Sequence, residues 1–133
     1  MILGIGMDLC EVDRIQRLLD KDRERFVRRV FSKEETAYCE ARRRPALHFA
    51  ARFAAKEAFL KSLGEGWRLG WTQVGVVRGP SGRPGLSLTG PASRVAQNRG
   101  VVRIHLTLTH TAETAAAVVV LEGEPRAPGT GGP

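Results

Sequence analysis

Cysteine is nearly absent: Cys10 and Cys39 are the only two in 133 residues, far apart and in no metal-ligand spacing. That scarcity excludes a disulfide-stapled scaffold, and two free thiols are expected. No apolar run reaches the roughly 18 residues that would span a bilayer. The apolar N-terminus meets Asp8 almost at once and has no basic stretch before it, unlike a secretory leader. A cytoplasmic protein with no membrane association is the resulting expectation. Acidic residues are in deficit, 14 against 21 Lys and Arg, giving a net charge of +7. Residues 14–44 alone carry eleven basic and six acidic side chains, a net +5. Such a surface suits an acidic partner: nucleic acid, anionic membrane, a phosphorylated small molecule or an acidic protein. The Arg14/Arg17/Lys21 stripe lacks the interleaved aromatic residues of a single-stranded nucleic-acid platform. Asp13, Asp20, Asp22 and Glu24 also interrupt the patch, which favours a charge-matched protein.

What is present suffices for one domain with a real core, since 42% of the residues are hydrophobic and no internal repeat occurs. Residues 2–9 read as a buried strand ending at Asp8. From residue 11 to 21 the period becomes helical, with Val12, Ile15 and Leu19 on one face and Arg14, Arg17 and Lys21 opposite. Residues 25–30 continue as a basic helical stretch. Ser32 with Glu35 three residues on is a capping-box pattern for a helix to about residue 42. Pro45 opens a long central helix and Gly64 stops it. Residues 73–78 and 85–89 read as strands joined by a Gly-Pro-Ser-Gly turn, and residues 91–98 as a short helix. Residues 101–109 and 115–121 read as an antiparallel hairpin. The fold class is therefore α+β, with a domain over residues 1–122 and a disordered Pro/Gly-rich tail over 123–133.

The chemistry concentrates in the central helix. Arg52 to Lys61 is apolar almost all the way round, yet Glu57 projects from a sector shared with Phe53 and Ala50. A carboxylate in such surroundings needs a cation, a metal or hydrogen bonds. Pairing with Lys61 one turn on is the bland explanation, worth about 0.2–0.5 kcal/mol and suited to a solvated face. A carboxylate for metal beside a lysine for phosphate is the alternative. Asp8 either caps the helix after its strand or supplies a second carboxylate for a hard cation such as magnesium. His110, with the hydroxyls of Thr109 and Thr111, is either structural or a ligand contact, and the same two readings hold for Arg83-Pro84.

In combination these segments resemble the holo-[acyl-carrier-protein] synthase family, the small bacterial 4'-phosphopantetheinyl transferases. Gly4-Ile-Gly-Met-Asp8 with Arg14-Ile15 looks like its N-terminal block. Arg52-Phe-Ala-Ala-Lys56-Glu57-Ala-Phe-Leu-Lys61 looks like its central block, and Thr107-Leu-Thr-His110-Thr111 like its C-terminal strand. Phe31-Ser32 with Glu35 and Tyr38, and Gly82-Arg83-Pro84, fit between them. The match covers residues 2–122. It implies a 4'-phosphopantetheinyl transferase fold, with the long central helix packed on a mainly antiparallel sheet. It also implies transfer of the phosphopantetheine arm of coenzyme A to a serine of apo-acyl carrier protein, in fatty acid biosynthesis, releasing adenosine 3',5'-bisphosphate.

The resemblance further implies that Asp8 and Glu57 bind Mg2+ and that Glu57 and Lys61 are catalytic. Arg52, Lys56, Lys61, Arg83, Pro84, His110 and Thr111 would line the coenzyme A pocket. Arg14, Arg17, Lys21, Arg25 and Arg28 would dock the acidic carrier protein. A homotrimer with active sites at subunit interfaces is implied as well. The serine proton needs an acceptor, and Glu57, directly or through a metal-bound water, is the candidate. Threonines replace the family's usual serines near His110, and Thr114-Ala115 lacks the aromatic often found there. A nucleic-acid-binding module is the competing class, but it has no use for a carboxylate in the central helix. An inactive paralogue is disfavoured by intact Asp8, Glu57 and Lys61.

Overall fold

The computed structural model describes residues 1–64 and 70–126. Strand β1 (Ile2–Glu11) leads into helix α1 (Val12–Val30), followed by α2 (Lys33–Glu40) and α3 (Pro45–Leu63). A 3-10 turn (Trp71–Gln73) precedes β2 (Val74–Arg78) and β3 (Pro84–Leu88). Helix α4 (Gly90–Asn98) and the strands β4 (Val101–His110) and β5 (Thr114–Gly123) complete the chain. The sheet has strand order β1-β5-β4, antiparallel throughout, and β2-β3 form a separate antiparallel pair. The α+β architecture with a central helix on an antiparallel sheet is as expected.

Helix α3 is the core of the molecule. Fifteen of its nineteen residues are buried, so its apolar periphery is covered on every side rather than along one stripe. It lies against β1 because β1 presents Gly4 and Gly6. A Cβ on Gly4 would sit 2.2 Å from the Ser62 carbonyl oxygen, and one on Gly6 1.9 Å from that of Ala58. Only glycine permits this backbone-to-backbone approach. The helix stops where Gly64 adopts φ 76°.

Three boundaries depart from the sequence reading. Strand β1 continues past Asp8 to Glu11, because β5 is long enough to pair Asp8 with Ala117 and Glu11 with Thr114. The two helical stretches expected at 11–21 and 25–30 are merged into one helix with a kink at Asp22 (φ −161°), whose carboxylate accepts from the Arg25 amide. That bond restarts the helix as a cap would. Strand β5 reaches Gly123, which accepts from the N-terminal amine, and the Glu124 amide donates to the Gly100 carbonyl. The part of the expected tail over residues 127–133 lies outside the described residues. The Ser32/Glu35 capping box is present as anticipated. Both cysteines are free and buried, and burial pushes their thiols up to about 11 for Cys10 and about 12 for Cys39.

Candidate active site

The glycine contact between β1 and α3 sets the first half of the site. Asp8 follows Gly4 and Gly6 on the same face of β1, so its carboxylate meets the outward turn of α3 that carries Glu57 and Lys61. Lys61 Nζ donates to Asp8 Oδ1 at 2.9 Å and to the Met7 carbonyl at 3.3 Å. The hydrogen bond to Asp8 raises the Lys61 pKa. Glu57 is half-buried, and its carboxyl is pushed above the ordinary glutamate value by burial and then by the Asp8 charge, against the pull of Lys61 and Arg14. Arg14 reaches over the Phe53 ring at 5.5 Å and so belongs to this neighbourhood.

These contacts bear on the readings left open by the sequence. Asp8 is not the cap of α1; Glu11 occupies that position, without a side-chain bond. Lys61 bonds Asp8 across two elements rather than serving only as the helical partner of Glu57. The Asp8 and Glu57 carboxylates repel one another, the Lys61 ammonium bonded to Asp8 offsets part of that cost, and the carboxylate oxygens are hard donors. No group of three or more His, Cys, Asp or Glu occurs among the described residues. Two carboxylate donors could hold a hard divalent ion such as magnesium only with water and phosphate oxygens filling its remaining positions.

A second cluster gathers on Tyr38 of α2. The guanidinium groups of Arg42, Arg52 and Arg78 lie 3.9, 4.1 and 5.0 Å from its ring centroid, and His48 meets the ring edge-on at 6.0 Å. Arg52 is buried and donates from Nη1 to the His48 carbonyl; its Nε is the single buried side-chain polar atom without a partner among the described residues. Arg78 is tied to the β2-β3 turn through the Gly82 carbonyl at 2.8 Å. Burial lowers the His48 pKa, and Arg52, then Arg42, His110 and Arg78, add to this; no carboxylate is among the contributors. Arg44 Nη2 donates to the Ala112 carbonyl in the β4-β5 turn that follows His110. Three guanidinium groups gathered on one ring suit a phosphate group.

Of the other anticipated residues, Arg83 and Pro84 line an open cleft of about 780 Å3 with Ile104 to Leu108 of β4. The Thr111 hydroxyl oxygen accepts from the amides of Glu113 and Thr114, which leaves its proton to offer a ligand. Lys56 is a correction. It was expected beside a phosphate, yet its ammonium is wholly buried and bonded to Glu35, Trp71 and Val74, because position 56 faces inward between α2 and β2. Along α1, Arg14, Arg17 and Lys21 are exposed. Lys21 and Arg25 line a groove with Leu18, Phe26 and Arg29, whereas Arg28 sits at its border and pairs with Glu24 at 3.1 Å. Sequence reasoning missed Arg42, Arg78 and His48. The signal available was Tyr38 in the segment after the capping box, followed by three consecutive arginines.

The model of the 4'-phosphopantetheinyl transferase superfamily matches residues 4–119. The chain is 52% identical over 126 residues to the holo-[acyl-carrier-protein] synthase of Anaeromyxobacter sp. (strain K), a match covering 92% of this chain and 98% of that one. The chain belongs to the holo-[acyl-carrier-protein] synthase family. It is accordingly an enzyme, a 4'-phosphopantetheinyl transferase. The family's structures superpose closely. The crystal structure of the Neisseria meningitidis synthase matches with TM-score 0.84 at 35% identity, covering 92% of this chain and 99% of that one. The Bacillus anthracis synthase, determined in complex with CoA (3',5'-ADP), matches with TM-score 0.75 at 32% identity, covering 93% and 99%.

Proposed function

We propose that the enzyme transfers the 4'-phosphopantetheine group of coenzyme A to a serine of an apo-acyl carrier protein of fatty acid biosynthesis, in the cytoplasm, and releases adenosine 3',5'-bisphosphate. The observation that carries this reading is the Asp8–Glu57–Lys61 grouping, two carboxylates and an ammonium held together by the β1-α3 contact. Asp8 and Glu57 would hold Mg2+, which when bound supplies positive charge against the pyrophosphate oxygens. Glu57 accepts the serine proton as the hydroxyl oxygen forms its bond to the β-phosphorus. The bond from that phosphorus to the bridging oxygen breaks, and the electron pair leaves with the 5'-phosphate of the bisphosphate. Lys61 offers an ammonium to the charge that develops on the non-bridging oxygens, and its bond to Asp8 fixes its position. Arg52, Arg42, Arg78 and His110 hold a phosphate of the nucleotide half, and Arg83 and Pro84 line the cleft beside it.

Two further features support the assembly and the partner. Ile2, Ile5, Met7 and Leu9 are exposed along the outer face of β1, an apolar strip that suits self-association as a homotrimer. Arg52 and Glu57 are five residues apart on α3, about 140° around its axis, so the guanidinium cluster and the carboxylates face different ways. A site completed across two copies brings them to one ligand. The groove of Leu18, Lys21, Asp22, Arg25, Phe26 and Arg29 sets three basic groups against one carboxylate beside an aromatic ring, and this net positive charge suits an acidic helix of the carrier protein. The test is to incubate the enzyme with coenzyme A, Mg2+ and apo-carrier protein and read the intact mass. Addition of phosphopantetheine is expected; folded enzyme that modifies none of several carrier proteins overturns the reading.

A further inference from the structure

Among the charged side chains, Lys56 and Glu35 form a pair excluded from solvent, with relative exposures of 0% and 2%. Lys56 Nζ donates to Glu35 Oε1 at 2.8 Å, to the Trp71 carbonyl at 3.1 Å and to the Val74 carbonyl at 2.5 Å. All three ammonium protons are therefore used. Glu35 Oε1 also accepts from the Ser32 amide at 2.8 Å, and Oε2 from the Val76 amide at 2.9 Å. Buried ion pairs are weak stabilisers compared with well-packed apolar residues, so stability alone is a poor reason for this one. Its position in the fold supplies a better reason.

The pair binds three elements, and each carries one member of the Tyr38 cluster on the same face. Tyr38 lies three residues after Glu35 on α2, and Arg52 lies four residues before Lys56 on α3. Arg78 lies two residues after Val76 on β2. The buried pair thus sits one step behind each of the three side chains that converge on the ring. We propose that Lys56 and Glu35 are positioning residues for the phosphate cradle: they fix the spacing of α2, α3 and β2 so that Arg52 and Arg78 are preset for a phosphate of coenzyme A. Preset donors lose less freedom on binding, so the benefit falls on affinity for the nucleotide. This rests on the reading of the Tyr38 cluster as a phosphate site.

The experiment is calorimetric titration of the full-length enzyme with adenosine 3',5'-bisphosphate, paired with steady-state kinetics in coenzyme A. The variants are Lys56→Met, Glu35→Gln, Arg52→Gln and the double Arg52→Gln/Lys56→Met, each confirmed folded by circular dichroism. Lys56→Met is expected to weaken bisphosphate binding about tenfold and to raise KM for coenzyme A by a similar factor, with kcat lowered by less than about threefold. The double variant is expected to lose less than the sum of the two single losses, because the spacing set by Lys56 acts in part through Arg52. Should Lys56→Met fail to fold, Glu35→Gln, which keeps the side-chain volume, is expected to raise KM in the same way by a smaller factor. Folded Lys56→Met or Glu35→Gln with unaltered KM, or additive losses in the double variant, overturns the positioning role. Arg52→Gln binding as tightly as the unaltered enzyme overturns the cradle, and the positioning role with it.

Discussion

The two halves of the site are built from opposite electrostatic materials. Around Asp8, Glu57 and Lys61 the signs are mixed, and the groups act on one another: Glu57 is raised by burial and then by its carboxylate neighbour, and Lys61 by its bond to Asp8. Around Tyr38 the signs are uniform. There three guanidiniums are held by an aromatic face and by backbone carbonyls, with the neutralising Glu35–Lys56 pair buried behind them. The first arrangement produces a group that can gain and lose a proton; the second rests mainly on guanidinium groups, which stay charged at any working pH. One half is suited to moving charge during reaction and the other to gripping an anion that does not change. The expected kinetics divide along that line.

Glu57→Gln breaks the reactive half with the largest effect. It removes the proton acceptor and one of two carboxylates for the metal, and kcat is expected to fall by about 10³-fold. The affinity for adenosine 3',5'-bisphosphate, read by calorimetry without metal, should stay within about threefold, because the other half is untouched. Near-normal turnover would remove Glu57 from the mechanism. Arg52→Gln breaks the gripping half. A charge-assisted hydrogen bond to phosphate is worth roughly 1.5–3 kcal/mol, so KM for coenzyme A should rise about 10- to 100-fold, with most of the loss in KM rather than kcat. A loss confined to kcat would merge the two halves into one.

The two halves also differed in how far the sequence disclosed them. The reactive half was legible because its evidence is local and contradictory: Glu57 stands in an apolar helix, and only a partner elsewhere explains it. The glycines ahead of Asp8 were visible too, although their purpose, the approach of α3 to β1, is a property of packing. The gripping half was less legible. Arg42 and Arg78 look like ordinary exposed arginines in turn-rich or strand-end positions, and nothing in their local sequence says that both meet Tyr38. Lys56 was misread for a related reason. Its neighbour Glu57 faces the reactive site, but one residue further around a helix is about 100°, enough to turn an ammonium from ligand to core. The capping-box role of Glu35 was correctly anticipated, yet its second oxygen and its lysine were invisible without β2.

Whether the halves meet within one chain or between copies can be decided by mixing. Glu57→Gln subunits keep the guanidinium cluster, and Arg52→Gln subunits keep the carboxylates. If each site is shared between neighbouring copies, co-refolding the two variants in equal amounts restores on the order of a quarter of the sites, measured at limiting coenzyme A. Activity no higher than the sum of the separate variants would mean that each chain carries both halves of its own site. An added Met7→Lys substitution, placing a charge on the exposed strip of β1, should abolish the recovery along with the assembly seen by sedimentation.

The smallest expected effect is the pH response, and it separates the halves without any mutation. Glu57 has its folded pKa raised above 4.5, chiefly by burial and then by Asp8. Its contribution to stability is therefore complete below that ordinary value and is lost as pH rises through the raised one, where the carboxyl ionises in unfavourable surroundings. A divalent cation reverses the sign, because it favours the ionised form. The rise in Tm produced by Mg2+ should accordingly be small where the carboxyl is protonated and grow as pH rises through its raised value. The rise in Tm produced by adenosine 3',5'-bisphosphate in the absence of metal should show no step attributable to Glu57, since the guanidiniums of its site do not titrate there. The comparison is made by thermal unfolding of the enzyme and of Glu57→Gln across that range. A Mg2+ shift that is flat with pH, or that survives unchanged in Glu57→Gln, would detach the metal from Glu57 and leave Asp8 to hold it without that carboxylate.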